Sequence, residues 1–208
     1  NKADESFVNL VDSLQDLKAI TGATDEQLKL IKQSARDTAI AFGIDAAQGV
    51  EAYKLILSQL SPEIAKSPIA LNAMGKNVAI LSKQLGGDTA GAAGILTTAM
   101  NQYGVSLDNP IEATRTMGVM MNIMSKAAQD GSAELPQIKS ALEQAGMTAK
   151  TFNVSFAETN AAIQVLDKAG KRGAEGGVAI RNILSELALG AKQPKSVVEG
   201  FKQIGINL

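Results

Sequence analysis

Residues 152–187 read FNVSFAETNAAIQVLDKAGKRGAEGGVAIRNILSEL, and this stretch decides the fold. Ser155 and Glu158 stand three residues apart ahead of an apolar run, which is the spacing of a capping box at the start of a helix. Gly170 follows the run and Gly173 precedes the next one, and glycine readily adopts the left-handed backbone that ends a helix. The stretch therefore predicts two short helices joined by a tight corner.

The same helical spacing extends along nearly the whole chain. A first helix is predicted up to Gly22, and Thr24 with Gln27 forms a second candidate capping box. No segment shows the sustained alternation of a strand. The apolar stripe of the first helix is predicted to contain Phe7, Leu10, Val11, Leu14 and Leu17. The sequence thus predicts an all-α fold, a compact bundle or array of about nine or ten short capped helices without a sheet.

One four-residue pattern recurs at helix junctions, at residues 42–45, 103–106 and 152–155, with a looser copy at 204–207. Each copy places Gly or Asn where a left-handed residue closes a helix, and Asp, Ser or Asn where a cap opens the next one. The copies are unevenly spaced. Uneven spacing favours repeated use of a good corner over internal duplication.

The domain organisation is predicted to be a single helical domain, residues 1–208, with a candidate subdivision near residues 86–88. Gly146 is expected to interrupt one helix, and a last short helix is expected to begin at Pro194.

Composition excludes several classes of function. The 208 residues include no Cys and no His, which removes thiolate and imidazole chemistry, and we expect no catalytic, cofactor or metal site. Lys plus Arg number 20 against 21 Asp plus Glu, so no basic surface for nucleic acid is expected. The longest uncharged stretch, Thr89 to Leu107, is broken by glycines, so no stable membrane insertion is expected. The first residues lack a signal-peptide pattern, which predicts a chain made in the cytoplasm.

Two apolar faces are predicted to mediate self-association. One is a heptad-like stripe on a helix that ends at Gly86, and the other is a methionine cluster that covers too wide an arc for a single neighbouring helix to bury. Their members are Leu71, Met74, Val78, Leu81 and Leu85, and Met117, Met120, Met121 and Met124.

The glycines at 170–177 surround two cations, Lys171 and Arg172, and this pattern has two interpretations. A phosphate-binding loop would need a preceding strand and a Gly-Lys-Ser or Gly-Lys-Thr ending, which are missing. Helix ends and close helix packing explain these glycines, Gly170, Gly173, Gly176 and Gly177, better. Arg181 is expected to pair with a carboxylate or with helix-end carbonyl groups rather than with a ligand.

The recurring corners at residues 42–45, 103–106 and 152–155, and above all residues 154–187, resemble the conserved core region of phage tail tape measure proteins. The resemblance covers Leu17 to the end of the chain, with matches at Leu17–Leu28, Ala92–Ser106 and Val154–Leu184. The signature residues that carry it are Gly22, Ser155, Glu158, Gly170, Gly173, Gly177 and Arg181.

The resemblance implies a non-enzymatic structural component of the virion, and a piece of a much longer protein. Such a protein helps to set tail length during assembly in the host cytoplasm, lies in the lumen of the tail and assists genome delivery. Its implied partners are other copies of itself and tail tube, tail assembly chaperone or tail initiator proteins. Two alternatives remain open on the sequence alone, a peptidoglycan-degrading module and a membrane-active segment used in ejection.

Overall fold

The computed structural model describes residues 1–189, which form nine α-helices and two 3-10 helices and no strand. The α-helices are α1 (Lys2–Thr21), α2 (Asp25–Phe42), α3 (Ala46–Gln59), α4 (Pro68–Ser82), α5 (Thr89–Gln102), α6 (Pro110–Asp130), α7 (Leu135–Thr151), α8 (Phe156–Lys168) and α9 (Ala174–Leu189). The 3-10 helices are Pro62–Lys66 and Lys83–Leu85. The all-α prediction is confirmed. The helix predicted from Pro194 and the corner at 204–207 lie outside the described residues.

The helix end and the capping box that the sequence predicts at residues 22–27 are present. Thr24 caps α2 in a complete capping box with Gln27, and Gly22 ends α1 with φ +67°. Ser67 caps α4 by accepting a hydrogen bond from the amide of Ala70 at 3.3 Å. These caps satisfy amides that the first turn of a helix would otherwise leave free.

The three recurring corners share one backbone geometry. Gly43, Gly104 and Asn153 have φ values of +67°, +59° and +58°. In each corner the amide of the following residue donates to a carbonyl five residues back, the 6→1 bond of a Schellman motif. The bonds are Ile44 N to Ala39 O at 3.2 Å, Val105 N to Met100 O at 3.0 Å, and Val154 N to Ala149 O at 2.9 Å.

The corners differ in how the next helix begins. Asp45 and Ser155 cap α3 and α8 directly, as predicted. Ser106 does not cap α6. Asn109 takes that role, since its Oδ1 accepts from the amides of Ile111 and Glu112 at 3.2 and 3.3 Å.

The described residues divide into two compact units. The first contains residues 1–97 and 106–118, and the second contains residues 98–105 and the described residues from 119 onward. The division runs through α5 and α6, and residues 86–88 lie inside the first unit.

In the first unit, α1 packs on α3, and α2 packs on α3 and α4. Ser13 Oγ donates to Glu51 Oε1 at 2.9 Å, and Lys54 Nζ lies 3.7 Å from Asp16 Oδ2. Because the contact that comes later in α1 also comes later in α3, the two helices run in parallel. The residues without exposed surface in this core include Leu17, Ile31, Val50, Ile56, Leu57 and Ile64.

The apolar stripe predicted for α1 is correct only in part. Leu10 and Leu17 are buried and Leu14 is half-buried, but Phe7 and Val11 are 57% and 38% exposed. Because Ser13 lies beside Glu51, near the start of α3, the first turns of α1 extend past the end of their neighbour. The apolar stripe of one helix does not show where the helix packed against it begins or ends.

In the second unit, α7 packs on α9 and α8, and α8 packs on α9. Gly146 does not interrupt α7, contrary to the sequence expectation. A Cβ atom at Gly146 would lie 2.5 Å from Cβ of Gln102, so glycine at this position allows α7 to approach the end of α5 closely. Gln102 Oε1 also accepts from the amide of Met147 at 3.2 Å. This core contains Ile138, Leu142, Ala145, Ile163, Ile180 and Leu184.

Candidate functional site

The signature residues, apart from Gly22, come together in the α7–α8–α9 region of the second unit. Glu158 N donates to Ser155 Oγ at 3.0 Å, and Ser155 N donates to Glu158 Oε1 at 3.1 Å, which completes the predicted capping box. Asn153 supplies the left-handed residue just before it. The corner between α7 and α8 is therefore fixed by backbone and side-chain bonds together.

The side chain of Tyr103, which directly follows α5, contacts and stabilises this corner. Its hydroxyl lies 2.6 Å from Thr159 Oγ1 and 3.1 Å from Val154 O, and its ring meets Phe156 edge to face at 5.1 Å. Burial raises the pKa of Tyr103 to about 12, although the Thr159 contact acts in the opposite direction. The neutral hydroxyl therefore remains available as a donor at neutral pH. Sequence reasoning identified Tyr103 as part of a corner but not as its brace, because the contact spans 56 residues.

In the corner between α8 and α9, the glycines serve as helix ends, which is the structural interpretation of the glycine cluster and not a phosphate-binding loop. Gly170 has φ +94°, and Lys171 N donates to Leu166 O at 2.8 Å, which closes α8. Gly173 has φ +53°, just before α9. These positions require glycine for backbone geometry.

Gly177 and Arg181 join α9 to α7. A Cβ atom at Gly177 would lie 2.8 Å from Ala141 Cα and 2.8 Å from Gln144 Cβ, so the two helix backbones pack without room for a side chain. One turn later, Arg181 Nη1 donates to Gln144 Oε1 at 3.3 Å. The observed partner is an amide oxygen, whereas the sequence predicted a carboxylate or a backbone carbonyl.

A second contact, which we call the Gln164 clamp, holds the loop between α6 and α7. Gln164 Oε1 accepts from Ala133 N at 2.8 Å, and its Nε2 donates to Ala133 O at 2.9 Å. Ser132 Oγ donates to Asp167 Oδ2 at 2.7 Å. Asp167 is 4% exposed and is the one buried charged residue in residues 1–189. No sequence pattern indicates this clamp, because Gln164 and Asp167 look like solvent-facing positions of an amphipathic helix.

The two faces that were predicted to mediate self-association are not exposed to solvent. Leu71, Met74, Val78 and Leu81 are at most 1% exposed, and Leu85 is half-buried. All four methionines, Met117, Met120, Met121 and Met124, are also buried. The prediction was wrong because apolar residues at helical spacing fit a helix core as well as an interface, and here the chain's own helices cover them.

Other chemistry finds little support in the described residues. Among them, no group of three or more His, Cys, Asp or Glu could hold a metal ion. None of the helices within residues 1–189 combines the length and apolar character of a membrane-spanning segment. The features that this region does offer are capped corners and close helix contacts.

Comparisons with known proteins show the family of the chain. The family model for phage-related minor tail proteins matches residues 32–208, so the chain belongs to that family. It is similar to the tape measure protein of Pneumococcus phage Dp-1, with 27% identity over 194 residues, which cover 92% of this chain. The chain spans only 15% of that relative's length. No solved structure matches it significantly. The resemblance to tape measure proteins is therefore confirmed.

Proposed function

We propose that this chain is a helical domain of a tail tape measure protein, which helps to set phage tail length during assembly and assists genome delivery. The observation that carries the proposal is the family match over residues 32–208, which includes every signature residue except Gly22. The tape measure relative supports it further, since the similarity covers most of the chain.

Within such a protein, this domain acts by contact and not as the measuring rod. A continuous helix of 208 residues would extend about 310 Å, at roughly 1.5 Å per residue. In the described part, the longest helix has 21 residues, and the helices of each unit fold back on one another. A domain of this kind contributes fixed docking surfaces at a defined position along the rod.

The proposal places the domain in the lumen of the virion tail, and in the host cytoplasm while the tail assembles. Its partners would be other copies of itself and the tail tube, tail assembly chaperone or tail initiator proteins. The buried stripe of α4 and the buried methionines of α6 are unavailable for these contacts. The contacts would therefore use exposed residues.

The test is an in-frame deletion of residues 1–208 from the complete tape measure gene, followed by electron microscopy of the tails. A docking domain predicts that assembly fails or that tails lose their defined length. A rod segment predicts intact tails that are shorter by about 310 Å. Uniform tails of that shorter length would overturn the docking role, and unchanged tails with normal infection would overturn the proposed function.

A further inference from the structure

A row of exposed side chains runs along the outward face of α1. Its members recur at steps of three and four residues, which places them on one side of the helix. They are Glu5, Val8, Asp12, Gln15 and Ala19, and we call them the α1 outer row. The buried residues Leu10 and Leu17 lie on the opposite side of the helix. Both charged members of the row are acidic, and Val8 between them is 54% exposed.

The outward face of α4 carries a similar row with the opposite charge, on the side away from the buried stripe of that helix. Its members are Ile69, Ala73, Lys76, Ile80 and, directly after the helix, Lys83, and we call them the α4 outer row. Ile69 and Ile80 are 70% and 44% exposed. α4 contains no acidic residue, and in the described part of the chain neither Lys76 nor Lys83 forms an ion pair. Two unpaired cations therefore flank an exposed isoleucine.

The two rows match in register when the helices run antiparallel. The two acids are seven residues apart on α1 and the two lysines are seven residues apart on α4, so each pair spans about 10.5 Å. A parallel alignment also pairs these charges, but it sets Val8 opposite Ala79, which is buried. In the antiparallel alignment the facing pairs are Glu5 with Lys83, Val8 with Ile80, Asp12 with Lys76, Gln15 with Ala73, and Ala19 with Ile69. One alignment thus pairs both charges and sets apolar residues opposite each other.

Charge also decides which surfaces can meet. Contact between two α1 outer rows would oppose acid to acid, and contact between two α4 outer rows would oppose lysine to lysine, so both symmetric pairings are disfavoured. Within one chain both rows face solvent, so neither one covers the other. The first turns of α1 extend past α3, which leaves that end of the helix open to a neighbour. The surface that complements the α4 outer row in charge and spacing is therefore offered by a second copy of this chain.

We propose that the α1 outer row of one copy docks antiparallel on the α4 outer row of a second copy. Because the two surfaces differ, the contact is heterologous, and copies join head to tail. Exposed ion pairs add little affinity by themselves, but they fix the direction and register of the two helices while Val8 and Ile80 are buried between them. This inference rests on the self-association included in the proposed function, and it names the two surfaces.

Sedimentation velocity of the 208-residue chain over a wide concentration range tests the proposal. We expect reversible association that weakens as salt is added, because salt screens exposed charges. Asp12→Lys and Lys76→Glu should each weaken the association about tenfold or more, because each sets like charges opposite each other. The double variant reverses the pair and should recover most of the affinity.

A matched control separates the local contact from a change in net charge. Lys150→Glu makes the same charge change as Lys76→Glu at an exposed position of α7 and should leave the association unchanged. All three positions are exposed, so circular dichroism of the variants should match that of the parent protein. A strictly monomeric chain, a double variant no better than the single variants, or an equal effect of Lys150→Glu would overturn the proposal.

Cysteine crosslinking distinguishes the head-to-tail contact from a symmetric one. The chain contains no cysteine, so Val8→Cys and Ile80→Cys each provide a single thiol. A mixture of the two variants should form disulfide-linked dimers on mild oxidation, whereas each variant alone should remain monomeric. A mixture of Val8→Cys with Ile40→Cys, whose position on α2 is 83% exposed, is the control and should not crosslink. Dimers from Val8→Cys alone, or equal crosslinking in both mixtures, would refute the contact. Such a result leaves the tail-length experiment unaffected, so the two proposals can fail separately.

Discussion

The hydroxyl of Tyr103 lies 2.6 Å from Oγ1 of Thr159, which joins the end of α5 to the first turn of α8. The same hydroxyl is within hydrogen-bond distance of two carbonyl oxygens, those of Val154 and Ser155. One side chain thus contacts the left-handed corner, the capping box and the following helix. The corner residues are local in sequence, but their brace comes from another helix.

Removing this hydroxyl should destabilise the protein. Tyr103→Phe keeps the ring packed edge to face on Phe156 but leaves Thr159 and a buried carbonyl with fewer partners, and we expect a loss of about 1–3 kcal/mol. Urea denaturation followed by circular dichroism measures the change. Thr159→Val removes the other member of the pair. A double-mutant cycle should show coupling, and strict additivity of the two losses would mean that the 2.6 Å contact contributes nothing.

Ionisation of the same tyrosine makes the free energy of unfolding depend on pH in the alkaline range. Because the pKa of Tyr103 is raised to about 12 in the folded protein, the folded state binds the proton more tightly than the unfolded state does. Its contribution is complete below about pH 10, the ordinary tyrosine value, and is lost as the pH rises towards 12. Burial raises the pKa of Tyr53 as well, which adds a change of the same sign. Tyr103→Phe should therefore lose less unfolding free energy than the parent protein between about pH 9.5 and 11.5, as measured by denaturation at fixed pH values. An equally steep loss in both proteins would contradict the role of Tyr103.

Gly177→Ala should be strongly destabilising for steric reasons. The new methyl group would meet the backbone of Ala141 and Cβ of Gln144, and neither helix can move without losing packing, so we expect a loss of about 1–3 kcal/mol. Gly118→Ala is the matched control. That glycine is also helical, the nearest neighbouring atom would lie 3.8 Å from the new methyl group, and alanine should stabilise α6 by up to about 1 kcal/mol. Opposite signs in thermal unfolding are the expected result.

Asn153 tests the left-handed corner. It is the one residue other than glycine with positive φ within residues 1–189. Asn153→Gly should be at least as stable as the parent protein, whereas Asn153→Ala should be about 1 kcal/mol less stable than Asn153→Gly. Chemical denaturation of the three proteins gives the ranking. An alanine variant as stable as the glycine variant would show that the backbone at 153 changes conformation on substitution.

Ser155→Ala should destabilise α8 by about 1 kcal/mol, since it removes the acceptor for the amide of Glu158. Hydrogen exchange of the first α8 amides measures the effect locally. Ser185→Ala, on the exposed face of α9, is the control and should leave exchange in α8 unchanged. Equal protection of α8 in the parent protein and Ser155→Ala would refute the role of the cap.

The sequence predicts the local features of this fold well and the long-range ones poorly. Thr24, Ser155 and Gly22 act within a few residues of themselves, so their roles follow from spacing alone. Met74 and Phe7 illustrate the limit. Both occupy apolar helical stripes, yet Met74 is fully buried and Phe7 is exposed, because the position of neighbouring helices decides the outcome.

The candidate site shows the same division. Gly22, Gly170 and Gly173 are recognisable in the sequence because a left-handed backbone at a helix end favours glycine. Gln164 was not, because an amide that brackets the backbone of Ala133 resembles any surface glutamine in the sequence. The close approach at Gly146 was misread as a helix break for a related reason: glycine ends helices and also narrows the distance between them.

The Gln164 clamp also has a mechanical consequence. Both backbone groups of Ala133 are held by one side chain of α8, so tension applied along α6 reaches α8 directly as well as through α7. The loop cannot peel away until two parallel bonds rupture together. Under a pulling force, we expect such a junction to yield in a single abrupt step instead of stretching gradually.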